Sequence, residues 1–83
     1  MNKEDLRNTF KRAREANAPY VFVEVSIPGA SSGEMIINKR ENFDFKENFY
    51  LNTYNDRLEH NHNNKIKIVG LAYGDLEQLK NIY

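Results

Sequence analysis

The segment Tyr20–Ile27 constrains the fold more than any other part of the chain. Its sequence, YVFVEVSI, is rich in β-branched and aromatic residues, which favour extended backbone. Because side chains alternate along a strand, one face carries Val21, Val23, Val25 and Ile27 and the other carries Tyr20, Phe22, Glu24 and Ser26. One face is wholly apolar and the other half apolar, which predicts a central strand on which the rest of the chain packs.

The residues that follow predict a β-hairpin. Pro28 and Gly29 suit the two corners of a tight turn, because proline presets φ and glycine reaches positive φ without steric cost. Residues 28–33 then form the connecting loop, and Glu34–Asn38 returns as the second strand.

Three helices are expected around these strands. They are residues 2–17, residues 44–58 and a last helix that starts after Asp75. Asn2 and Asp5 can form a capping box at the start of the first helix, and Pro19 ends it. Asp44 is the expected N-cap of the second helix, since Glu47 follows three residues later.

A short alternating segment, residues 65–69 (KIKIV), predicts a third strand whose two lysines guard an exposed sheet edge. The predicted order is therefore α-β-β-α-β-α. An antiparallel hairpin and a right-handed helical crossover place the first predicted strand in the middle of the sheet, between the second and the third. Together these features predict a single α+β domain over residues 1–83, a two-layer sandwich in which helices cover a three-stranded, mainly antiparallel sheet.

The bulk composition disfavours several classes of protein. Twelve basic and twelve acidic side chains cancel, which argues against a general polyanion binder. The chain has no cysteine, whereas small secreted domains usually depend on disulfides, so a cytoplasmic location is expected. The N-terminal residues lack the apolar run of a signal peptide, and no segment has the roughly 18 apolar residues of a membrane span.

His60 and His62 are the only histidines, and they lie in the polar run HNHNN. Residues at positions i and i+2 can chelate a metal, but zinc takes three or four protein ligands, and the nearest further candidates are Asp56 and Glu59. A metal-dependent enzyme is therefore an alternative, and a solvated loop is the preferred interpretation. Since no nucleophile motif is present either, no catalysis and no cofactor are expected.

Basic residues repeat along the first predicted helix, where Arg7, Lys11 and Arg14 form a stripe. Tyr20 and Phe22 lie on the outer face of the predicted sheet, from which aromatic rings can stack on bases, as they do in sheet-based RNA binders. A net charge of zero counts against this interpretation, because nucleic-acid-binding domains are usually basic. Nucleic-acid binding is thus a second alternative.

Surplus apolar surface gives the preferred functional hypothesis. Met35, Ile36 and Ile37 follow one another, so both faces of the second strand are apolar. The central helix is apolar on two sides, formed by Phe45 and Phe49 and, roughly opposite, by Tyr50, Leu51, Tyr54 and Leu58. Tyrosine suits interfaces because it buries a large area and keeps a polar end. A protein interface is therefore expected at Met35, Ile36, Tyr50 and Tyr54.

Two segments, YVFVEVSIPG at residues 20–29 and ENFDFKENFY at residues 41–50, stand in an Asn- and Lys-rich chain without cysteine. Over its full length the chain resembles small uncharacterised proteins carried by phages and mobile elements of AT-rich Gram-positive bacteria. The resemblance implies an accessory, intracellular role, often in protein binding, and it transfers no active-site residue. The expectation is a small interaction protein that binds another protein or itself, since a homodimer would enlarge a modest core.

Overall fold

The structure is a computed structural model, and it describes residues 1–77 and residue 80. These residues form two helices and four strands. The elements are α1 (Lys3–Glu15), β1 (Tyr20–Ser26), β2 (Glu34–Lys39), α2 (Phe43–Thr53), β3 (Glu59–His60) and β4 (Asn63–Gly74), with a 3₁₀ turn at Arg40–Asn42. The strands make one sheet in the order β2-β1-β4-β3, and each neighbouring pair is antiparallel.

The α+β class and the first hairpin are confirmed, but the prediction of a three-stranded sheet is wrong. Residues 70–74 continue β4 although the glycines at both ends would favour a turn, since Gly70 lies opposite Glu24 and the ladder runs on to Tyr20 and Gly74. Val69 is an extra residue on β4, between the partners of Glu24 and Val25, and this bulge absorbs the change of register. The predicted last helix after Asp75 falls largely outside the described residues.

The prediction of a polar loop around the two histidines is also wrong, because this region completes the described sheet. Glu59–His60 forms β3, and a tight turn leads directly into β4. The segment 65–69, predicted as an edge strand, is therefore part of β4 and lies next to the edge of the described sheet. Strand β3 pairs with β4 at Lys67 and Asn63.

Helix α1 forms as its capping signals predict. The Asn2 side chain accepts the amide of Asp5 at 3.0 Å, and the Asp5 carboxylate accepts the amide of Asn2 at 2.8 Å. These two bonds satisfy amides that have no partner within the helix. Leu6, Phe10 and Ala13 are fully buried, at the spacing that turns one stripe of a helix towards a core.

Helix α2 begins before and ends before the predicted bounds. Asp44 is not the N-cap: it lies in the first turn, and its carboxylate contacts the Arg14 guanidinium at 2.7 Å. The helix ends at Thr53 because Tyr54 adopts extended backbone and makes an isolated antiparallel bridge with His60. The helix thus ends five residues earlier than the apolar pattern predicts.

The core lies between the two helices and one face of the sheet, and it includes Val21, Val23 and Val25, as predicted. One polar pair is buried within it. The Tyr50 hydroxyl donates to Asn38 Oδ1 at 3.0 Å, and Asn38 Nδ2 donates to the carbonyl of Val21 at 3.1 Å. This pair fixes α2 on the sheet without leaving the two side chains unsatisfied.

Candidate protein-binding surface

Helix α2 has the two apolar sides that the sequence predicts, but the expected interface tyrosines lie on the buried one. Tyr50 is completely buried, and its ring lies 6.3 Å from that of Phe10 and 6.3 Å from that of Tyr54. Tyr54 is 6% exposed. Neither Tyr50 nor Tyr54 is therefore accessible on the surface of this chain, because the core of the same chain already covers them.

The exposed side of α2 carries two phenylalanines instead. Phe45 is 73% exposed and Phe49 is 45% exposed. Their spacing of four residues places them next to each other along one side of the helix. The Lys46 ammonium lies 5.0 Å from the centroid of the Phe49 ring, within the range of a cation–π interaction. This aromatic side is the apolar surface that α2 leaves uncovered.

Strand β2 lies at one end of the sheet order, and its side chains divide between the two faces. Ile36 is half-buried against the core, and Met35 is half-buried on the opposite face, beside Phe22. Ile37 is 44% exposed. The predicted pair Met35 and Ile36 is thus only partly accessible, and Ile37 contributes the apolar side chain that is most exposed on this strand.

The hydrogen-bond pattern shows which amides of β2 face outwards. The Arg40 amide donates to the Pro19 carbonyl at 2.9 Å, which marks a bonded position of the ladder. Antiparallel ladders alternate bonded and non-bonded pairs, so Asn38 and Ile36 direct their backbone groups towards β1. The amides of Met35, Ile37 and Lys39 consequently point away from β1, along the edge of the sheet.

A groove of about 220 Å³ lies beside this edge, between β2 and the start of α2. It is lined by Ile37, Asn38, Lys39, Asn42 and Lys46. None of these residues is acidic, and in the part of the chain that the structure describes neither lysine forms an ion pair. Lys46 also contacts Phe49, so the groove is continuous with the exposed aromatic side of α2.

The basic stripe of α1 is partly neutralised within the chain. Arg14 bridges the two helices, with its guanidinium 2.7 Å from Asp44 and 2.8 Å from Glu47. Arg7 lies 3.8 Å from a carboxylate of its own helix, whereas Lys11 is exposed. Only part of the predicted stripe is thus available to contact phosphates.

The two aromatic residues of the nucleic-acid alternative, Tyr20 and Phe22, lie on the face of the sheet that is opposite the helices. Tyr20 and Phe22 alternate with the valines that face the helices, so they point away from α1. Phe22 is 1% exposed, which leaves no ring face for a base. The structure therefore does not bring the basic stripe and these rings together.

The two histidines lie close to each other, with ring centroids 5.8 Å apart. The His62 amide donates to His60 Nδ1 at 3.1 Å, which occupies one of the nitrogens that would bind a metal. The His60 ring also packs edge-on against Tyr54 at 5.5 Å. Among residues 1–77 and residue 80, no group of three or more His, Cys, Asp or Glu side chains is arranged to hold a metal ion.

None of the described helices has the length and apolar character needed to cross a membrane. No protein-family model matches the chain, and no match is found among curated proteins or among solved structures. The comparisons assign no family, so function must be inferred from the surface itself. The resemblance to phage and mobile-element proteins stays a prediction.

Proposed function

We propose that this protein is a small interaction protein that binds another protein chain through the β2 edge and the exposed side of α2, without catalysis. The observation that carries the proposal is the exposure of Phe45 and Phe49 on a helix whose other side is fully packed. Phenylalanine is normally buried, and a contiguous exposed apolar patch on a soluble protein usually marks an interaction site.

The edge strand supplies the second part of the proposed surface. Its outward amides can pair with an added strand, which provides affinity through main-chain hydrogen bonds and specificity through neighbouring side chains. The groove joins this edge to Phe49 through Lys46. A partner that adds a strand to β2 would therefore also reach the aromatic side of α2.

The remaining parts of the proposal rest on the sequence. A cytoplasmic location suits a chain without cysteine, and an accessory role suits the phage-like composition. The bound chain is either a different protein or a second copy. A strand from either source can occupy the same edge.

The proposal is tested by combining two surface variants with a matched control. The double change Phe45→Ser and Phe49→Ser removes the aromatic side, and Ile37→Pro removes an outward amide without removing a bond to β1. Each is expected to weaken partner binding at least about tenfold, which corresponds to about 1.4 kcal/mol. Val69→Ser, a change at an apolar residue that is 46% exposed on β4, should leave binding unchanged.

Two measurements decide the outcome. Sedimentation reports self-association, and quantitative capture from a host lysate, followed by titration of the purified captured protein, reports a different partner. A wild-type protein that stays monomeric and captures nothing contradicts the proposal. So does a partner that binds all variants equally well.

A further inference from the structure

We infer that the groove between β2 and α2 binds an extended, acidic segment of a partner protein and not a second copy of this chain. The inference rests on the proposed function and specifies its partner. It follows from three features of the groove: the outward amides of the strand, the two lysines of its walls, which form no ion pair in the described chain, and the apolar surface that adjoins it.

The backbone of β2 requires an extended partner. The ladder directs the amides and carbonyls of Met35, Ile37 and Lys39 away from β1, at the spacing of alternate residues in a strand. Only another extended segment presents donors and acceptors at this spacing. The groove runs beside the same residues, so an added strand would lie along it.

The charge of the walls favours acidic side chains. Lys39 belongs to the strand and Lys46 to the helix, so each of the two elements contributes one lysine to the lining of the groove. The other three lining residues are Ile37, Asn38 and Asn42, which are neutral. Because the two lysines have no ion-pair partner in the described chain, a segment with two successive carboxylates would complement one lysine on each of its faces.

A second copy would not supply these carboxylates, because the strand EMIINK has no two successive acidic residues. Antiparallel pairing of two β2 edges about Ile37 would set Met35 of one copy against Lys39 of the other, so Lys39 would meet an apolar side chain and not a carboxylate. An acidic strand would therefore complement Lys39, whereas a second copy in this pairing would not.

The inference is tested with three short synthetic peptides, VVEEVV, VVQQVV and VVKKVV, titrated against the full chain by fluorescence anisotropy. We expect VVEEVV to bind, VVQQVV to bind at least about tenfold more weakly, and VVKKVV to bind most weakly. Raising the salt concentration should weaken binding of VVEEVV more than of VVQQVV. The double variant Lys39→Glu and Lys46→Glu should reverse the preference and select VVKKVV.

Several outcomes would overturn the inference. Equal binding of VVEEVV and VVQQVV would mean that the edge is used but that acidic chemistry is not recognised. Dimerisation of the wild type that Ile37→Pro abolishes would identify a second copy as the occupant and would leave the proposed function standing. Failure of all three peptides, together with unchanged partner capture by Ile37→Pro and by the Phe45/Phe49 variant, would overturn both. Lys46→Gln removes one groove charge without reversing it. If this variant unfolds like the wild type and still binds VVEEVV more weakly, the lost binding reflects the missing charge and not a loss of folding.

Discussion

Replacing Phe10 with alanine is expected to lower the free energy of unfolding by about 3–5 kcal/mol. The Phe10 ring is fully buried, and it contacts the ring of Phe43 edge-on at 5.5 Å and that of Tyr50 at 6.3 Å. Removing it would leave a cavity where α1, α2 and the sheet meet. For a small domain whose total stability is typically about 5–15 kcal/mol, this loss is a large fraction of the whole.

Chemical unfolding by urea, followed by circular dichroism, measures this loss. The matched control is Phe45→Ala on the exposed side of α2, which should change stability by no more than about 0.5 kcal/mol. If Phe10→Ala is too unstable to purify, Phe10→Leu should show a smaller loss of the same sign. Equal effects of the Phe10 and Phe45 substitutions would mean that the two helices do not share the core described above.

The parts of the fold that the sequence predicts correctly are those whose signals are local. The alternation in Tyr20–Ser26 and the capping box of Asn2 and Asp5 act within a few residues, so they determine β1 and the start of α1 directly. Residues 70–74 show the opposite case. Their glycines indicate a turn locally, yet pairing with β1 through a bulge makes them a strand, and that pairing is long-range.

The candidate surface was predictable only in part, for a similar reason. The helical periodicity of α2 separates Phe45 and Phe49 from Tyr50 and Tyr54, but periodicity cannot show which side meets the sheet. Contacts distant in sequence decide this, since the Tyr50 hydroxyl bonds to Asn38 on β2. The groove lysines are likewise brought to one place by the packing of α2 beside β2, which no local pattern encodes.

Because the Tyr50 hydroxyl is buried, we expect the free energy of unfolding to fall at alkaline pH. Burial disfavours the phenolate and raises the pKa of Tyr50 to about 12, although the hydrogen bond with Asn38 acts in the opposite direction. In the unfolded chain, tyrosine has its ordinary pKa of about 10. Between pH 10 and pH 12 the unfolded chain loses this proton while the folded chain keeps it. The contribution of Tyr50 is therefore fully present below pH 10 and is lost by pH 12, a decrease of roughly 2–3 kcal/mol.

Tyr50→Phe should separate this effect from all other titrations. At neutral pH the variant is expected to be about 1 kcal/mol less stable than the wild type, because Asn38 Oδ1 loses its donor. Above pH 10 the wild type loses stability more steeply, so the two free energies of unfolding should cross near pH 11. The raised pKa of Tyr54 is common to both proteins and largely cancels in the difference. Urea unfolding of both proteins from pH 7 to pH 12 measures the crossing, and a constant difference across this range would mean that Tyr50 ionises as readily in the folded chain as in the unfolded one.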